Sequence, residues 1–271
     1  MVAAGTELLG ALPRGDPLTD VALVVPCFNE AERLDDGALL RLVDGDPGVH
    51  LILVDDGSED ATASRLLALS RARPRRIAAI SLARNGGKAE AVRQGLLRAL
   101  REPVELFGYF DADLSTPIPE LIRLIETIRQ TDAAVVMGSR LLRLGSTIQR
   151  NPIRHYLGRI FASAASLLLQ VRVYDTQCGA KLFRRTPAFE AALEERFLSL
   201  WAFDVELLGR LLVGGKAAPG LELGRFLEVP LVEWRDVAGS KLKVRAMTRT
   251  ARDLVAIGLD LRRRRRDRGD G

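Results

Sequence analysis

The strongest constraint on this chain is a rhythm in its first 140 residues: short apolar runs, each closed by polar or turn residues, separated by helical patterns. The runs are VALVV (21–25), LILV (51–54), IAAISL (77–82), LFGYF (106–110) and AAVVMG (133–138). Unbroken apolar runs of this length read as strands buried on both faces. The stretches 60–73, 88–101 and 118–130 between them read as helices, the last opened by Pro117 and Pro119, which a helix start tolerates. Parallel strands need crossover connections, so this alternation predicts an α/β fold with a doubly wound, mostly parallel central sheet flanked by helices. In such sheets ligands bind beyond the carboxyl ends of the strands, which is where chemistry is to be sought.

After Arg140 the pattern changes. A helix is predicted over 152–171, an extended piece over 173–183, a helix over 197–213 and a strand over 226–234. No long Pro/Gly/Ser-rich linker interrupts this, so 19–242 is read as a single domain with halves 19–140 and 141–242, after an extension over 1–18. Residues 243–261 place Val244, Met247, Ala251, Leu254, Gly258 and Leu261 at helical spacing, so 243–271 reads as an amphipathic helix leading into a polybasic tail.

Charge narrows the function classes. The formal net charge is +5, yet the six arginines beyond Leu261 account for most of it and the body is nearly neutral. A protein that coats nucleic acid needs a broad cationic field, and this chain has none, so no nucleic-acid partner is expected. Two cysteines, Cys27 and Cys178, lie in no metal-ligand or disulfide spacing. The N-terminus lacks a basic secretory pattern, and the longest uncharged stretch, Ile160 to Val171, is too short to span a bilayer. The expected location is cytoplasmic, with no transmembrane span.

The strand ends carry the candidate chemistry. The first offers Pro26, Phe28 and Glu30, and the second Asp55, Asp56 and Ser58. Adjacent acids at the mouth of a buried strand repel unless a donor-rich ligand or cation meets them, whereas Ser58 is explained as a helix cap. The third run leads to ARNGGK, a Gly-rich turn before a helix; it suits a phosphate through free N–H groups and Lys88, or is an ordinary turn. The fourth leads to YFDADLSTP, where Asp111 and Asp113, two apart in an extended segment, point the same way. Paired carboxylates suit a hard divalent cation such as Mg2+ or Mn2+.

Taken in order, VVPCFNE, LVDDGS, ARNGGKAEAVRQG, YFDADLSTP and VVMGSR resemble the inverting transferases of glycosyltransferase family 2, with the GT-A nucleotide-diphospho-sugar transferase fold. The match runs from about residue 20 to about 245. YDTQCGAKLF, WAFDVELLGRLL and VPLVEWRDVAGSK resemble the dolichyl-phosphate β-glucosyltransferases more than their mannosyl relatives. The resemblance implies transfer of glucose from UDP-glucose to a dolichyl or polyprenyl phosphate, with a divalent metal. It implies that Pro26, Phe28, Glu30, Asp55, Asp56, Lys88, Asp111, Asp204 and Glu206 serve the nucleotide sugar, and that Asp111 and Asp113 hold the metal. Arg140, Arg154 and Lys181 would grip the acceptor phosphate, with Asp113, Arg140 and Asp175 at the reacting centre. Gly158 stands where mannosyl relatives often carry Ser.

A lipid phosphate is already ionised near neutral pH, its second pKa being about 6, so it can attack without a strong protein base. Asp175 then either orients the acceptor or takes its residual proton. Another nucleotide sugar such as GDP-mannose, a non-lipid acceptor, or a non-catalytic nucleotide-sugar-binding protein are the alternatives. Residues 156–171 read either as core helix or as the lining of a lipid groove, and the basic tail either as a membrane-surface contact or as a solvated end.

Overall fold

The computed structural model describes residues 20–149, 152–236 and 244–267; within these, the side chains of 149, 152–157 and 244–250 are outside the description. The expected N-terminal extension therefore lies outside the described residues, as do 237–243 and 268–271. The chain divides into two compact units between Leu114 and Ser115.

The first unit contains β1 (Val21–Cys27), α1 (Asp36–Gly45), β2 (Val49–Asp55), α2 (Thr62–Ala72), β3 (Ile77–Ser81), α3 (Lys88–Ala99) and β4 (Leu106–Tyr109). Its strands lie in the order β3-β2-β1-β4, and every pairing is parallel. All of β2 and nearly all of β1 is buried, which is why these runs are apolar without alternation. Each fully buried Val, Leu or Ile contributes about 1.5–3 kcal/mol, so the two central strands are a large part of the core of this unit. The α3 helix packs on β1 and β2. It comes close because residue 95 is Gly: a Cβ there would sit 2.3 Å from Val24 Cγ1. Asp35 caps α1 by accepting from Ala38 N–H, a bond of about 1 kcal/mol that starts a helix the periodicity had not revealed.

The second unit contains α4 (Ile118–Gln130), β5 (Val135–Ser139), β6 (Thr147–Gln149), α5 (Pro152–Leu169), β7 (Lys181–Arg184), α6 (Pro187–Glu194), α7 (Phe203–Val213), β8 (Phe226–Pro230), β9 (Glu233–Arg235) and α8 (Val244–Asp267). Here β5 pairs antiparallel with β7 and parallel with β8, while β6 and β9 form a separate parallel ladder. Strand pairing is thus mostly parallel with helices flanking it, as expected.

Three boundaries differ from the sequence reading. The helix expected over 197–213 begins only at Phe203. Its upstream residues are held otherwise: Glu206 accepts from Leu198 and Ser199 N–H, and Ser199 Oγ accepts from Ala202 N–H at 2.8 Å. The strand expected over 226–234 breaks after Pro230, whose ring nitrogen has no hydrogen to donate to a ladder, and resumes as β9 in the other sheet. Of the extended piece expected over 173–183, only Lys181 onward is strand.

The C-terminal helix differs most. It does not give way to a tail at Leu261 but continues through the arginine run to Asp267. Its apolar face is docked: Ile257 and Leu261 are buried, and α8 lies against α7 and α5. Residue 209 of α7 is a glycine directly beneath Leu261, leaving no room for a Cβ. Arg264 pairs with Asp260 at 2.7 Å and also with Glu195. No described helix is long and apolar enough to cross a membrane.

Candidate active site

In the first unit the predicted residues converge at the carboxyl ends of β1, β2 and β4. The loop after β1 is sewn to the loop after β2. Asn29, at φ +53, donates its N–H to Ser58 Oγ at 3.0 Å and accepts from Glu59 N–H through Oδ1 at 2.9 Å. Glu30 N–H donates to Thr62 Oγ1 at 2.8 Å. Between these anchors Phe28 projects with 42% of its surface exposed, a flat apolar face at the mouth of the sheet. Pro26 closes the strand behind it, opposite Val54.

Asp55 and Asp56 are both buried, and their partners separate them. Asp55 Oδ1 accepts from Ser58 N–H at 3.1 Å. Asp56 turns instead to the Gly-rich loop, accepting from Gly86 N–H at 2.7 Å and Gly87 N–H at 2.8 Å. The amides that the sequence reading offered to a phosphate are therefore already spent on Asp56, which acts as a brace for the turn ahead of Lys88. The approach is close enough that Gly57, at φ +70, must lack a side chain: a Cβ would sit 2.7 Å from Asn85 N. Burial pushes Asp56 above the usual aspartate range, partly offset by the two amide bonds.

Lys88 opens α3 and forms an ion pair with Asp111, both half-exposed. Glu30 is held above the usual glutamate range, first by burial and then by the nearby negative charges of Asp113 and Asp111, while Arg33 opposes the shift. Its Oε1 meets Arg33 at 2.6 Å, but its buried Oε2 has no hydrogen-bond partner. Asp111 and Asp113 carry the hard carboxylate oxygens that a divalent cation takes, with Lys88 paired to the first of them. Among the described residues no group of three His, Cys, Asp or Glu side chains could hold a metal ion. A metal here would therefore take at most two protein carboxylates and fill its shell with waters and substrate oxygens, as Mg2+ and Mn2+ do.

In the second unit β5 ends at Ser139 and delivers Arg140. Asp175 Oδ2 accepts from Arg140 Nε at 2.6 Å and from its backbone N–H at 3.0 Å; Oδ1 accepts from Nη2 at 2.8 Å. Gln177 N–H adds a fourth bond to Oδ1 at 3.0 Å, so Asp175 is saturated. The guanidinium also lies over the Trp234 ring, 5.2 Å from its centroid. Around this fork Ser139 Oγ, Thr176 Oγ1 and Gln177 Nε2 are buried without hydrogen-bond partners. Buried polar atoms normally have partners, so these three, which sequence reasoning did not single out, are sites for ordered water or a ligand.

Three predicted residues are placed elsewhere. Lys181 is wholly buried, with Nζ 2.6 Å from Asp204 and 2.6 Å from Cys178 O. A desolvated ammonium needs its counter-charge beside it, so Lys181 and Asp204 are spent on each other rather than on phosphate and sugar. Glu206 is likewise buried, bonded to Arg210 at 2.6 Å and to two backbone amides; burial pushes it above the usual glutamate range. Both Asp204 and Glu206 lie in the first turn of α7 and secure its start. Arg154 falls in α5, but its side chain lies outside the description.

The sequence model of the glycosyl transferase family 2 matches residues 22–189, which spans both the acidic strand ends and the arginine fork. The chain belongs to glycosyl transferase family 2. Among curated proteins it is 33% identical, over 88% of its length and 71% of the relative's, to a dolichyl-phosphate β-glucosyltransferase of Trichomonas vaginalis. The Drosophila melanogaster dolichyl-phosphate β-glucosyltransferase is 33% identical, with 83% of this chain and 70% of the fly protein covered. The human protein of the same name is 31% identical over the same shares. As a member of this family the chain is a glycosyltransferase in kind. Among solved structures, the Mycobacterium tuberculosis glucosyl-3-phosphoglycerate synthase bound to Mn2+, UDP-glucose and phosphoglyceric acid superposes with a TM-score of 0.61. That match covers 90% of this chain and 79% of the other at 19% identity, and it establishes the GT-A fold.

Proposed function

We propose that this family 2 enzyme transfers glucose from UDP-glucose to a dolichyl or polyprenyl phosphate with inversion, using a divalent metal. The observation that carries the reading is the Arg140–Asp175 fork, a planar guanidinium fixed by a saturated carboxylate beside orphaned polar atoms. Asp175 occupies the Nε and Nη2 edge and so aims the planar guanidinium, and a guanidinium aimed in this way suits an oxyanion such as a phosphate monoester. The names of the relatives supply the lipid acceptor and the sugar.

In this reading Phe28 and Pro26 lie along the nucleotide base, and the remaining acceptor oxygen of Asp55 takes a hydrogen bond from it. Asp56 braces the turn that aims Lys88. Asp111 and Asp113 are the residues that would hold the metal, which when bound would supply Lewis-acid stabilisation of the UDP leaving group. Lys88 gives up its ion pair with Asp111 to the diphosphate as the donor arrives, so its charge meets the leaving group. Arg140, with Arg154, orients the acceptor phosphate, whose own ionised oxygen is the nucleophile. Asp175 accepts four hydrogen bonds and so keeps Arg140 in place rather than taking a proton.

The acceptor lies in a bilayer, and α8 is the candidate contact with it. With Ile257 and Leu261 facing inward, the outer face shows Val255 and Leu259 between exposed Arg252, Arg262, Arg263 and Arg266. Apolar residues flanked by arginines suit an anionic membrane surface, each cation contributing about 1 kcal/mol. In this reading the enzyme works at the cytoplasmic face of a membrane.

Mass spectrometry of products from UDP-glucose, polyprenyl phosphate and Mg2+ tests the reaction, with GDP-mannose and phosphoglycerate as control donor and acceptor. A hexosylated lipid phosphate is the expected product. Exclusive use of GDP-mannose or of the soluble acceptor would overturn the assignment.

A further inference from the structure

A single carboxylate in the second unit holds the segment that carries Asp175. Glu228 lies in the middle of β8, in register with Met137 of β5, the strand that delivers Arg140. Its Oε1 accepts from Asp175 N–H at 2.7 Å and its Oε2 from Tyr174 N–H at 2.9 Å. One carboxylate thus grips two consecutive amides, and the second of those residues forks Arg140. The chain of bonds runs from strand to carboxylate, to backbone, to carboxylate, to guanidinium.

Other contacts hold the flank of this segment: Ser166 Oγ donates to Val173 O at 2.9 Å, and the Arg159 guanidinium lies 4.0 Å from the centroid of the Tyr174 ring. The segment leaves α5 through Gln170, at φ +59, an uncommon conformation for a residue with a side chain. It then borders a cavity of about 450 Å3 that is lined by Gln170 to Val173, Leu208, Leu212 and Glu228. The two charge-assisted bonds from Glu228 are the contacts that act on the Tyr174 and Asp175 amides themselves, so they set the direction of the backbone that carries the Asp175 carboxylate. Strand formation does not account for this residue. Glutamate is a weak strand former, and its neighbours Leu227 and Val229 are apolar.

We infer that Glu228 is a positioning residue for the acceptor site: by holding Tyr174 and Asp175 it fixes the direction in which the Arg140 guanidinium points. This rests on the reading above that Arg140 grips the acceptor phosphate. Glu228→Gln keeps the length but turns an NH2 group toward one of the two amides, so one bond is lost and the segment must move. kcat/KM for the acceptor is expected to fall, by up to about a hundredfold for a displacement near 1 Å. The donor KM and UDP affinity stay unchanged.

The decisive readouts separate position from general stability. In 15N NMR of the ligand-free enzyme the Arg140 Nε–H resonance, assigned by its loss in Arg140→Ala, shifts or broadens in Glu228→Gln. In a double-mutant cycle, Glu228→Gln adds no further loss of acceptor use once Arg140→Ala is present. An unmoved resonance or additive losses overturn the inference. Should the Gln variant fail to fold, Glu228→Asp, which keeps both oxygens one methylene short, is read by the same resonance. If the wild-type enzyme makes no product from polyprenyl phosphate, the functional reading fails, while the resonance still decides the role of Glu228.

Discussion

Asp56 binds Gly87, and Gly86 before it, through the two oxygens of one buried carboxylate, at 2.8 and 2.7 Å. The brace sets the position from which Lys88 begins α3. An asparagine in its place keeps only one oxygen and turns an amide NH2 toward an N–H. Asp56→Asn is expected to cost about 1–3 kcal/mol in denaturant unfolding and to weaken UDP binding, measured by calorimetry.

The same residue sets a pH dependence. Burial raises the Asp56 carboxyl above its unfolded value, so the folded state holds this proton more tightly. Between the unfolded and the raised folded value, the Asp56 contribution to stability falls as pH rises. The difference in melting temperature between wild type and Asp56→Asn, followed through the acidic range, should carry that slope. A difference that does not change with pH would remove the assignment to Asp56.

Asp113→Ala should abolish transfer while changing unfolding free energy by no more than about 0.5 kcal/mol, because the side chain is part-exposed at a strand end. The wild type should gain melting temperature with Mg2+ and UDP together, and the variant should not. Chelation by EDTA should stop wild-type turnover reversibly.

Lys181 and Asp204 make opposite predictions alone and together. Lys181→Met leaves Asp204 charged and buried, at a cost of about 3–5 kcal/mol. Lys181→Met with Asp204→Leu removes both charges and should recover most of that loss in thermal melts. Loss of acceptor affinity in a well-folded double variant would restore Lys181 as a phosphate ligand.

The C-terminal helix separates into two roles. Leu261→Ala, on the docked face, should lower stability by about 2–5 kcal/mol. Replacing Arg262, Arg263 and Arg266 by Gln, on the exposed face, should leave stability within about 0.5 kcal/mol and reduce sedimentation with anionic vesicles. Unchanged vesicle binding would remove α8 from the membrane contact.

Both thiols should be inert in the native state. Cys27 and Cys178 are buried, and burial with neighbouring carboxylates pushes each thiol well above the usual range. Ellman's reagent should titrate neither until denaturant is added.

The first unit was largely legible because its information is local. The apolar runs of β1 to β4 are buried on both faces, and a residue just past such a run stands at the ligand-binding edge wherever the rest of the chain lies. Asp55 ends β2, Asp111 and Asp113 follow β4, and Lys88 opens α3 and pairs with Asp111, so the structure places all four where the pattern put them. The second unit was less legible because its residues answer to distant partners. FLSLWA has helical apolar spacing, but Glu206 and Ser199 take its amides. Glu228 left one readable trace, a charge alternating with apolar residues inside a strand pattern, which marks a carboxylate with a partner to find.

The sequence by itself determined the α/β class, the family, the acidic strand ends and the lysine that faces them, since these follow from period, turn chemistry and residue type. Only the tertiary structure decided how each charge is spent. Asp56 braces a turn, Lys181 neutralises Asp204, Glu206 secures a loop, and the arginine run is helix rather than tail. The reason is physical: a buried charge or amide must be satisfied by whatever group the fold brings within hydrogen-bond reach, and that group is rarely a neighbour in sequence.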